Sequence, residues 1–543
     1  MPDHTFTLQI LHFSDAEAGL LAAQTARNLA ALVDKFEDAY ANSITLAGGD
    51  NFLPGPFLAA GTDTSVIPAL NAVTGSTLAP NATVPIAAVD IAIHNALGVE
   101  ASAIGNHEYD LGSRVLRDAI AGSSGTKGAQ FPFVAANLDF SGDADLKGLY
   151  TNTTASAGLE EASSLKGKIA PSAILNENGT RIGLVGATTQ LLEAISSPSG
   201  TEVTGFPGGA GANGEKDDMD LLAAQLQPVI DDLIAQGVNK IILMAHLQVI
   251  ANEKLLASKL SGVDIILAAG SNTRLGDSDD TAVAFAGHAA TFADTYPLVI
   301  KDKAGNDTLI VNTDNEFTYL GRLVVDFDDQ GRIVSQSLTD NRAINGAYAA
   351  AEANVAAAWG VGTEQLASTA FAEGTRGAAV KTLTDAVQSV ITVKDGNVYG
   401  YADVYLEGER ATVRSEETNL GNLSADANAY AAEQALGALA AAQTYIVSLK
   451  NGGGIRAQIG TISAPDPVDG TVDKLPPPDG SVSQLDVENS LRFNNQLMLF
   501  ETTADGLKAI LEHGLPLAPC RDVFRNWAAW PSPGIPIFRQ GHG

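Results

Sequence analysis

The chain has 543 residues, which is too long for one hydrophobic core, so two large domains are predicted. Its net charge of −31 argues against nucleic acid or an anionic membrane as a partner, because both bind basic surfaces. The single cysteine, Cys520, excludes an intrachain disulfide and a thiolate metal site. No stretch of the sequence approaches the roughly 20 apolar residues that a membrane helix needs.

The first half of the chain alternates short apolar runs with helical patterns. Thr7–His12 is predicted to be a buried strand, and Ala18 to about Tyr40 a helix. Further strands are predicted at Ser43–Leu46, Ala101–Ile104, Ile182–Val185, Lys240–Met244 and Val263–Leu267. Because each run ends in a polar or glycine-containing loop, the pattern indicates layered α/β structure with a site at the strand ends.

The composition changes in the second half. Residues 340–375 are rich in alanine and are predicted to form a linker helix, with an ordinary surface helix of either domain as the alternative. After about residue 375 the pattern is that of a mixed α/β module, which contains a turn-rich insertion at Pro465–Gly480.

Five loops of the first half carry residue types that bind metal ions, and each follows an apolar run. They are Asp15-Ala16-Glu17, Gly49-Asp50-Asn51, Gly105-Asn106-His107-Glu108, Ala245-His246 and Gly270-Ser271-Asn272. A hydrolase with two metal ions needs a bridging carboxylate, further nitrogen or oxygen ligands, and an open face for water and phosphate. One such loop alone is more often a turn or a helix cap, but the ordered series predicts a site of this kind.

Several motifs resemble a known family. GGDN at 48–51 and GNHEYDLG at 105–112 resemble the calcineurin-like metallophosphatases, and ILHFSDAE resembles their opening strand with its Asp-x-His motif. VRSEETNLGNLSADA, KNGGGIR and LRFNNQLMLFETTADGLKAILEHG resemble the C-terminal domain of 5′-nucleotidases. The resemblance spans about residues 7–515.

The resemblance implies a fold and a domain order. A four-layer α/β/β/α metallophosphatase domain is expected over residues 1–340, and a linker helix region over 341–375. A mixed α/β nucleotide-binding domain of the 5′-nucleotidase C-terminal type is expected over 376–543.

The same resemblance implies roles for the site residues. Asp50 would bridge two divalent ions, Asp15 would bind the first ion, and Asn106 and His246 would bind the second. His107 would face the phosphate and stabilise the transition state or the leaving group. Asp110 would orient His107, as a carboxylate fixes the tautomer of a histidine. A metal-bound hydroxide would then attack phosphorus in line.

Two positions depart from the family pattern. Glu17 stands where the family has histidine, and Gly270-Ser271-Asn272 lacks two further histidines. The first ion would then have only oxygen ligands, which favours Ca²⁺, Mg²⁺ or Mn²⁺ over Zn²⁺. The predicted ligands of that ion are Asp15, Glu17, Asp50 and Asn272.

The second ion, which keeps His246, is left open between Mn²⁺, Zn²⁺ and Mg²⁺. A backbone carbonyl, Ser271 or water would fill the position lost at Gly270. A decayed site with weak activity is the alternative to a retuned one.

In the second half, Arg414, Asn451 and Arg456 are predicted to contact phosphate or ribose. Gly453 lies in a glycine run that permits close approach of the backbone, although a plain tight turn is the alternative. Phe493 matches the position where the family stacks a purine base, with core packing as the alternative.

The pattern breaks after about residue 517. Residues 521–543 hold two of the three tryptophans and three arginines, with neither strand nor helix periodicity. We predict a frameshifted or truncated end there, and a divergent native tail is the alternative.

The sequence therefore predicts an enzyme that hydrolyses phosphate monoesters, above all nucleoside 5′-monophosphates. Alternatives are a broad-specificity alkaline phosphatase, a phosphodiesterase or nucleotide-sugar hydrolase, and a catalytically weak extracellular protein that binds cations or nucleotides. The expected location is periplasmic or extracellular, although no leader is visible in the chain. The expected state is a monomer or a homodimer.

Overall fold

A computed structural model describes residues 6–154, 160–205, 217–288, 290–437, 445–463, 472–493, 495–514 and 524–530. The chain divides into two compact units, Met1–Val390 and Ile391–Gly543. Among the helices that this model describes, none combines the length and the apolar character needed to cross a membrane.

The first unit alternates strands and helices. Its strands are β1 (Phe6–Phe13), β2 (Ser43–Ala47), β3 (Ala101–Ala103), β4 (Phe133–Val134), β5 (Leu138–Asp139), β6 (Ile169–Ala170), β7 (Ser172–Glu177), β8 (Thr180–Thr188), β9 (Glu202–Val203), β10 (Ile241–His246), β11 (Ile265–Ala269), β12 (Leu298–Lys301), β13 (Asp307–Val311), β14 (Tyr319–Phe327) and β15 (Gly346–Ala349). Its helices are α1 (Ala22–Glu37), α2 (Pro56–Ala60), α3 (Ile67–Thr74), α4 (Ala88–Leu97), α5 (Ser113–Ala121), α6 (Leu192–Ile195), α7 (Met219–Ala235), α8 (Ile250–Ala257), α9 (Ser335–Asp340), α10 (Glu352–Trp359) and α11 (Arg376–Asp395), the last of which contains the division at Val390.

Two sheets form the centre of this unit. The first has the order β15-β14-β1-β2-β3-β4-β6, and the second has the order β12-β13-β11-β10-β8-β7. β1, β2, β3, β4 and β6 run parallel, as do β8, β10, β11 and β13. The carboxyl ends of the parallel strands therefore meet at one edge of each sheet.

The core lies between the two sheets. Leu8 and Ile10 of the first sheet belong to the same buried cluster as Leu184 and Met244 of the second. Helix α1 packs against β2 and β14, and α7 packs against β8, so each sheet carries helices. The predicted α/β architecture with two stacked sheets is thus confirmed.

The predicted strands at Thr7–His12, Ser43–Leu46 and Ile182–Val185 all lie inside observed strands. The predicted helix at Ala18–Tyr40 is shorter in the structure, where α1 begins only at Ala22. Residues 18–21 lie in the loop that precedes it, and the helix ends at Glu37.

Residues 341–375, predicted to be a linker helix, lie in the first compact unit. β15 pairs with β14 at the edge of the first sheet, from Gly346 to Ala349. Helix α10 then packs against α1, and the Trp359 indole donates to the Ala31 carbonyl oxygen at 2.9 Å. The alanine-rich segment is therefore shorter as a helix than predicted and covers the first sheet.

The second unit is a smaller mixed module. Its described elements are β16 (Val398–Tyr401), α12 (Arg410–Ser415), α13 (Asn419–Leu436), β17 (Ile446–Asn451), β18 (Thr461–Ile462), β19 (Lys474–Leu475), β20 (Ser481–Ser483), α14 (Gln484–Ser490), α15 (Ala504–Gly514) and β21 (Phe524–Trp530). Leu406, Val413, Leu420, Ile455 and Ile459 form its buried core.

Two predictions fall partly outside the described residues. Of the insertion Pro465–Gly480, residues 472–480 are described and contain the short strand β19. Of the tail, residues 524–530 form β21, which pairs antiparallel with β17. Cys520 lies outside the described residues, and the frameshift stays a prediction that sequencing the gene across codon 517 tests.

Asp90 gives a prediction on stability. Its carboxyl is buried in α4, Oδ1 has no hydrogen-bond partner within the described residues, and burial raises its pKa to about 7. The folded pKa lies above the unfolded value of 3.8, so this group destabilises the fold increasingly as the pH rises from about 4 to about 7. We expect Asp90→Asn to raise the free energy of unfolding at pH 8 by on the order of 1 kcal/mol or more, since one pKa unit corresponds to about 1.4 kcal/mol. Urea unfolding at pH 4 and pH 8 measures this, and an equal effect at both values would contradict it.

Candidate metal centre

The predicted metal ligands follow the carboxyl ends of neighbouring strands. β1 and β2 end side by side, with Phe13 opposite Ala47, and β3 follows next, with Ser102 opposite Ala47. In the second sheet His246 at the end of β10 lies opposite Ala269 at the end of β11. The loops after these strands therefore meet, and they carry the residues that the sequence singled out.

Asp50 lies at the centre of the group. Potential ligand atoms of Asp15, Asp50 and His246 all lie within 4.8 Å of one another, and so do those of Glu17, Asp50 and His107. Asp50 is 1% exposed and is the member common to both clusters. A Cβ at Gly105 would lie 2.1 Å from its Oδ1, so only glycine leaves room for the Asp50 carboxylate there.

His246 offers a nitrogen suited to a metal ion. Its Nδ1 lies 3.1 Å from the carbonyl oxygen of Gly48, which fixes the ring and the tautomer. Its Nε2 is buried without a hydrogen bond to the described residues, although it lies 3.0 Å from Oδ2 of Asp50. A divalent cation bound by this nitrogen and the Asp50 carboxylate would take the place of their direct contact, so this donor set fits such an ion.

The site concentrates negative charge. Burial raises the pKa of Asp15 well above its usual value, and the nearby carboxylates of Asp50 and Glu17 raise it further, against the positive charge of His246. Burial lowers the pKa of His246, but the charges of Asp50 and Asp15 outweigh that effect and raise it to about 10. Carboxylates that stabilise the protonated form of a buried imidazole also attract a metal cation.

His107 belongs to a chain of hydrogen bonds. Its Nδ1 lies 2.5 Å from Oδ2 of Asp110, and the Ser196 hydroxyl donates to Oδ1 of Asp110 at 2.8 Å. Burial lowers the pKa of His107, but the charges of Asp50 and Asp110 outweigh it and raise the pKa to about 10. The imidazole is therefore held in one orientation and favours the cationic form.

The structure adds contacts of Glu17 and His246 to the predicted assignment of ligands to the two ions, which stays a prediction. Glu17 was expected beside Asp15, and His246 was expected with Asn106 at the second ion. In the structure Oε1 of Glu17 lies 3.3 Å from Nε2 of His107, and His246 lies with Asp15. The amide of Asn315 donates to Oε2 of Glu17 at 2.6 Å, which holds the carboxylate in that direction.

The two predicted asparagine ligands lie in loops of the site. Asn106 is buried, and its Oδ1 accepts a hydrogen bond from the side-chain amide of Gln248. Asn272 follows β11 with a left-handed φ of +50°. Two residues before it, the backbone N–H of Gly270 donates to both carboxylate oxygens of Asp15, at 2.8 and 3.1 Å.

The sequence assigned no separate role to Glu108, whose side chain binds the backbone of two loops of the site. Its buried carboxylate accepts hydrogen bonds from the backbone N–H groups of Gly105, Asp50 and Asn51, at 2.7, 3.1 and 2.6 Å. Burial is the main reason that its pKa rises to about 7. The GNHE motif contained this residue, but a contact with three backbone groups leaves no pattern in a sequence. Asn315 and Gln248 were missed because their contacts with the side chains of Glu17 and Asn106, far away in the sequence, leave no pattern either.

The predicted nucleotide contacts come together within the second unit. The side chain of Asn451 accepts from the N–H of Gly453 at 2.8 Å. A Cβ at Gly452 would lie 2.2 Å from the carbonyl oxygen of Val413, the residue before Arg414, so the glycine run permits this close approach. The guanidinium of Arg456 lies over the ring of Phe493, 5.5 Å from its centroid. Phe493 is half-buried and lies outside the core cluster of this unit.

Comparison with known proteins is consistent with this arrangement. Residues 398–532 match the family model of the 5′-nucleotidase C-terminal domain. The trifunctional nucleotide phosphoesterase of Bacillus subtilis is 28% identical over 437 residues, which are 78% of this chain and 24% of that protein. The 5′-nucleotidase of Mus musculus is 27% identical over 335 residues, 61% of this chain and 46% of the relative. The chain thus spans less than half the length of these curated relatives.

Among solved structures, the 5′-nucleotidase precursor of Thermus thermophilus has a TM-score of 0.57 at 25% identity, covering 90% of this chain and 74% of that one. This chain shares the fold of that solved 5′-nucleotidase: two stacked sheets with carboxylates and histidines at the strand ends, followed along the chain by a smaller α/β domain. The chain therefore carries a 5′-nucleotidase C-terminal domain at residues 398–532 and is similar to 5′-nucleotidases over much of its length.

Proposed function

We propose that this protein is a metal-dependent phosphoric ester hydrolase that acts on nucleoside 5′-monophosphates. The observation that carries the proposal is the position of Asp50, which belongs to two clusters of potential ligands, one with the buried His246 and one with His107. Such a carboxylate suits a pair of divalent ions, which when bound would offset the charge that develops on phosphate oxygens. Asp15, Asp50, Asn106 and His246 would hold one ion, and Glu17 and Asn272 would hold the second together with Asp50.

The residues around the ions would position the substrate. His107 presents Nε2 toward the cluster while Asp110 and Ser196 fix Nδ1 on the other side, so its N–H can donate to a phosphate or leaving-group oxygen. Glu108 holds three backbone N–H groups and thereby fixes the loops that carry Asp50 and Asn106.

The second unit would bind the nucleotide. Arg414 and Arg456 suit bidentate contacts with phosphate or hydroxyl groups, and the half-buried ring of Phe493 suits stacking on a base. The names of the relatives, a nucleotide phosphoesterase and 5′-nucleotidases, favour nucleotides over other monoesters. Broad-specificity phosphatase and nucleotide-sugar or diester hydrolase activity are the alternatives within the class.

A protein that binds cations or nucleotides without turnover is the alternative from another class. The chain from His107 through Asp110 to Ser196 speaks against it, because a cation binder needs no oriented imidazole. The presence of snake venom 5′-nucleotidases among the relatives supports a location outside the cytoplasm, which fractionation of the producing cells would test. Size-exclusion chromatography would separate a monomer from a homodimer.

The metal dependence is tested by removing and returning ions. We expect chelated protein to release no phosphate from AMP, and Mn²⁺, Mg²⁺ or Ca²⁺ to restore the reaction, because carboxylate and amide oxygens outnumber nitrogen ligands. Metal analysis of the protein before chelation identifies the resident ions. Zinc in both positions would contradict the preference for hard ions, and full activity in the chelator would contradict the proposal.

The substrate is tested with a panel. AMP is expected to be hydrolysed faster than a sugar phosphate, a UDP-sugar and a bis-ester. Arg456→Ala should raise KM for AMP and leave hydrolysis of a sugar phosphate unchanged, since a sugar phosphate lacks the nucleoside that the second unit is proposed to bind. Equal rates across the panel would favour the broad-specificity alternative.

A further inference from the structure

The loop after β10 contains a residue to which no role has been given. We propose that Gln248 supplies an amide oxygen ligand to the ion held by His246 and Asn106, in place of the ligand that position 270 lacks. This inference rests on the proposed function, because it concerns the ligand set of the same metal centre.

The side chain of Gln248 lies among the predicted ligands. Its Nε2 is hydrogen-bonded to Oδ1 of Asn106. A Cβ added at Gly270 would lie 2.7 Å from that Nε2 and 2.8 Å from Nε2 of His246. The Gln248 amide therefore occupies the space in front of Gly270, next to the imidazole nitrogen that has no hydrogen bond within the described residues.

The backbone of Gln248 is also unusual. Its φ is +69°, a left-handed conformation that costs free energy for a residue with a Cβ and that glycine adopts freely. Such conformations in residues other than glycine concentrate at functional sites, where a side chain is held in a required direction. Here the left-handed turn directs the side chain back over the ends of β10 and β11.

A glutamine amide has two orientations that exchange nitrogen and oxygen. In one, its N–H group donates to Asn106, and in the other its oxygen takes the same place. Beside a cation the second orientation is favoured, because the oxygen carries the negative end of the amide dipole. Gln248, Asn106 and His246 then offer two oxygens and one nitrogen, a set suited to Mn²⁺.

The alternative is that Gln248 only donates to Asn106 and orients it. The two roles predict different metal binding when glutamate replaces Gln248. A ligand can be replaced by glutamate, whose carboxylate binds divalent ions more strongly. A donor cannot, because an ionised carboxylate only accepts hydrogen bonds.

The experiment titrates Mn²⁺ into chelated protein by calorimetry, with wild type, Gln248→Gly and Gln248→Glu. Glycine relieves the left-handed strain, so a loss of binding in Gln248→Gly is not explained by a damaged fold. Ser124→Gly is the matched control, since Ser124 is an exposed left-handed residue with φ +53° in the loop after α5. Thermal melts of each chelated variant verify the fold.

We expect wild type and Ser124→Gly to bind two ions. Gln248→Gly should bind one ion as wild type does and the other roughly 10- to 100-fold more weakly, while Gln248→Glu should bind both at least as tightly as wild type. Unchanged affinity in Gln248→Gly would overturn the inference, and so would equal weakening in Gln248→Glu, which would assign the donor role. Failure of wild type to bind any ion would instead overturn the proposed function.

Discussion

Replacing Asp50 with asparagine is expected to remove bound metal and to lower phosphate release from AMP by about 10³-fold or more. Asp50 is common to both clusters of potential ligands, so the loss of its charge weakens both ion positions at once. Two ions that each contribute several kcal/mol to the transition state correspond to a loss of this size. Metal content by elemental analysis and phosphate release with AMP measure the two effects.

The substitution is conservative in shape. Oδ1 of Asp50 accepts the backbone N–H of His107 at 2.8 Å, and the amide oxygen of asparagine can accept the same bond. Asp90→Asn is the matched control, since Asp90 is an equally buried carboxyl in α4 that touches none of the predicted ligands. It should keep both ions and full turnover. An Asp50→Asn protein that retains two ions and hydrolyses AMP within tenfold of wild type would contradict the assignment of Asp50 as the bridge.

The location of this site was readable from the sequence because parallel strands align their ends. Asp15, Asp50 and His246 each follow a short apolar run, and the parallel register brings the ends of such runs together. The rhythm of apolar runs and polar loops therefore predicted both the fold and the set of residues that meet. What it could not predict is how the members of that set pair with one another.

Pairing depends on side-chain direction, and direction depends on backbone angles that leave no periodic signal. Glu17, Asp50, Gln248 and Asn272 all have positive φ, and none of them is glycine. The left-handed turn at Glu17, together with Asn315 some 300 positions later in the chain, turns the carboxylate toward His107. The family motif shows only that Glu17 stands where a histidine ligand is usual. It carries no information about the contact between Glu17 and His107.

The second half was harder to predict for a different reason. Among its described residues the strands are two to seven residues long and pair only in twos, so alternation over a few residues gives little signal. β21 lies in a stretch with no visible periodicity, and it is defined by its pairing with β17. The close backbone approach at 452–454 was predictable because it requires glycine, and three consecutive glycines are visible in the sequence.

Replacing His107 with alanine is expected to lower turnover of AMP by roughly 10²- to 10⁴-fold, the range typical of a positioned acid or base. The loss should fall on kcat, because the oriented imidazole assists the transition state rather than holding the nucleoside. His288→Ala is the matched control, since Nδ1 of His288 also lies 2.8 Å from an aspartate, Asp314, and its pKa is also raised, to about 9. That variant should keep the turnover of wild type.

The size of the His107 effect on a second substrate then assigns its role. If the imidazolium donates a proton to the leaving oxygen, p-nitrophenyl phosphate, whose leaving group needs no proton, should lose far less rate than AMP. If it stabilises charge on the phosphoryl oxygens, both substrates should lose equally. Metal content is measured beside the rates, because one of the two clusters, Glu17, Asp50 and His107, includes this imidazole. Two retained ions would assign the loss of rate to the action of His107 on the phosphate. Unchanged hydrolysis of AMP would show that His107 is not the group that acts on the phosphate, and loss of an ion in His107→Ala would assign it to metal binding instead.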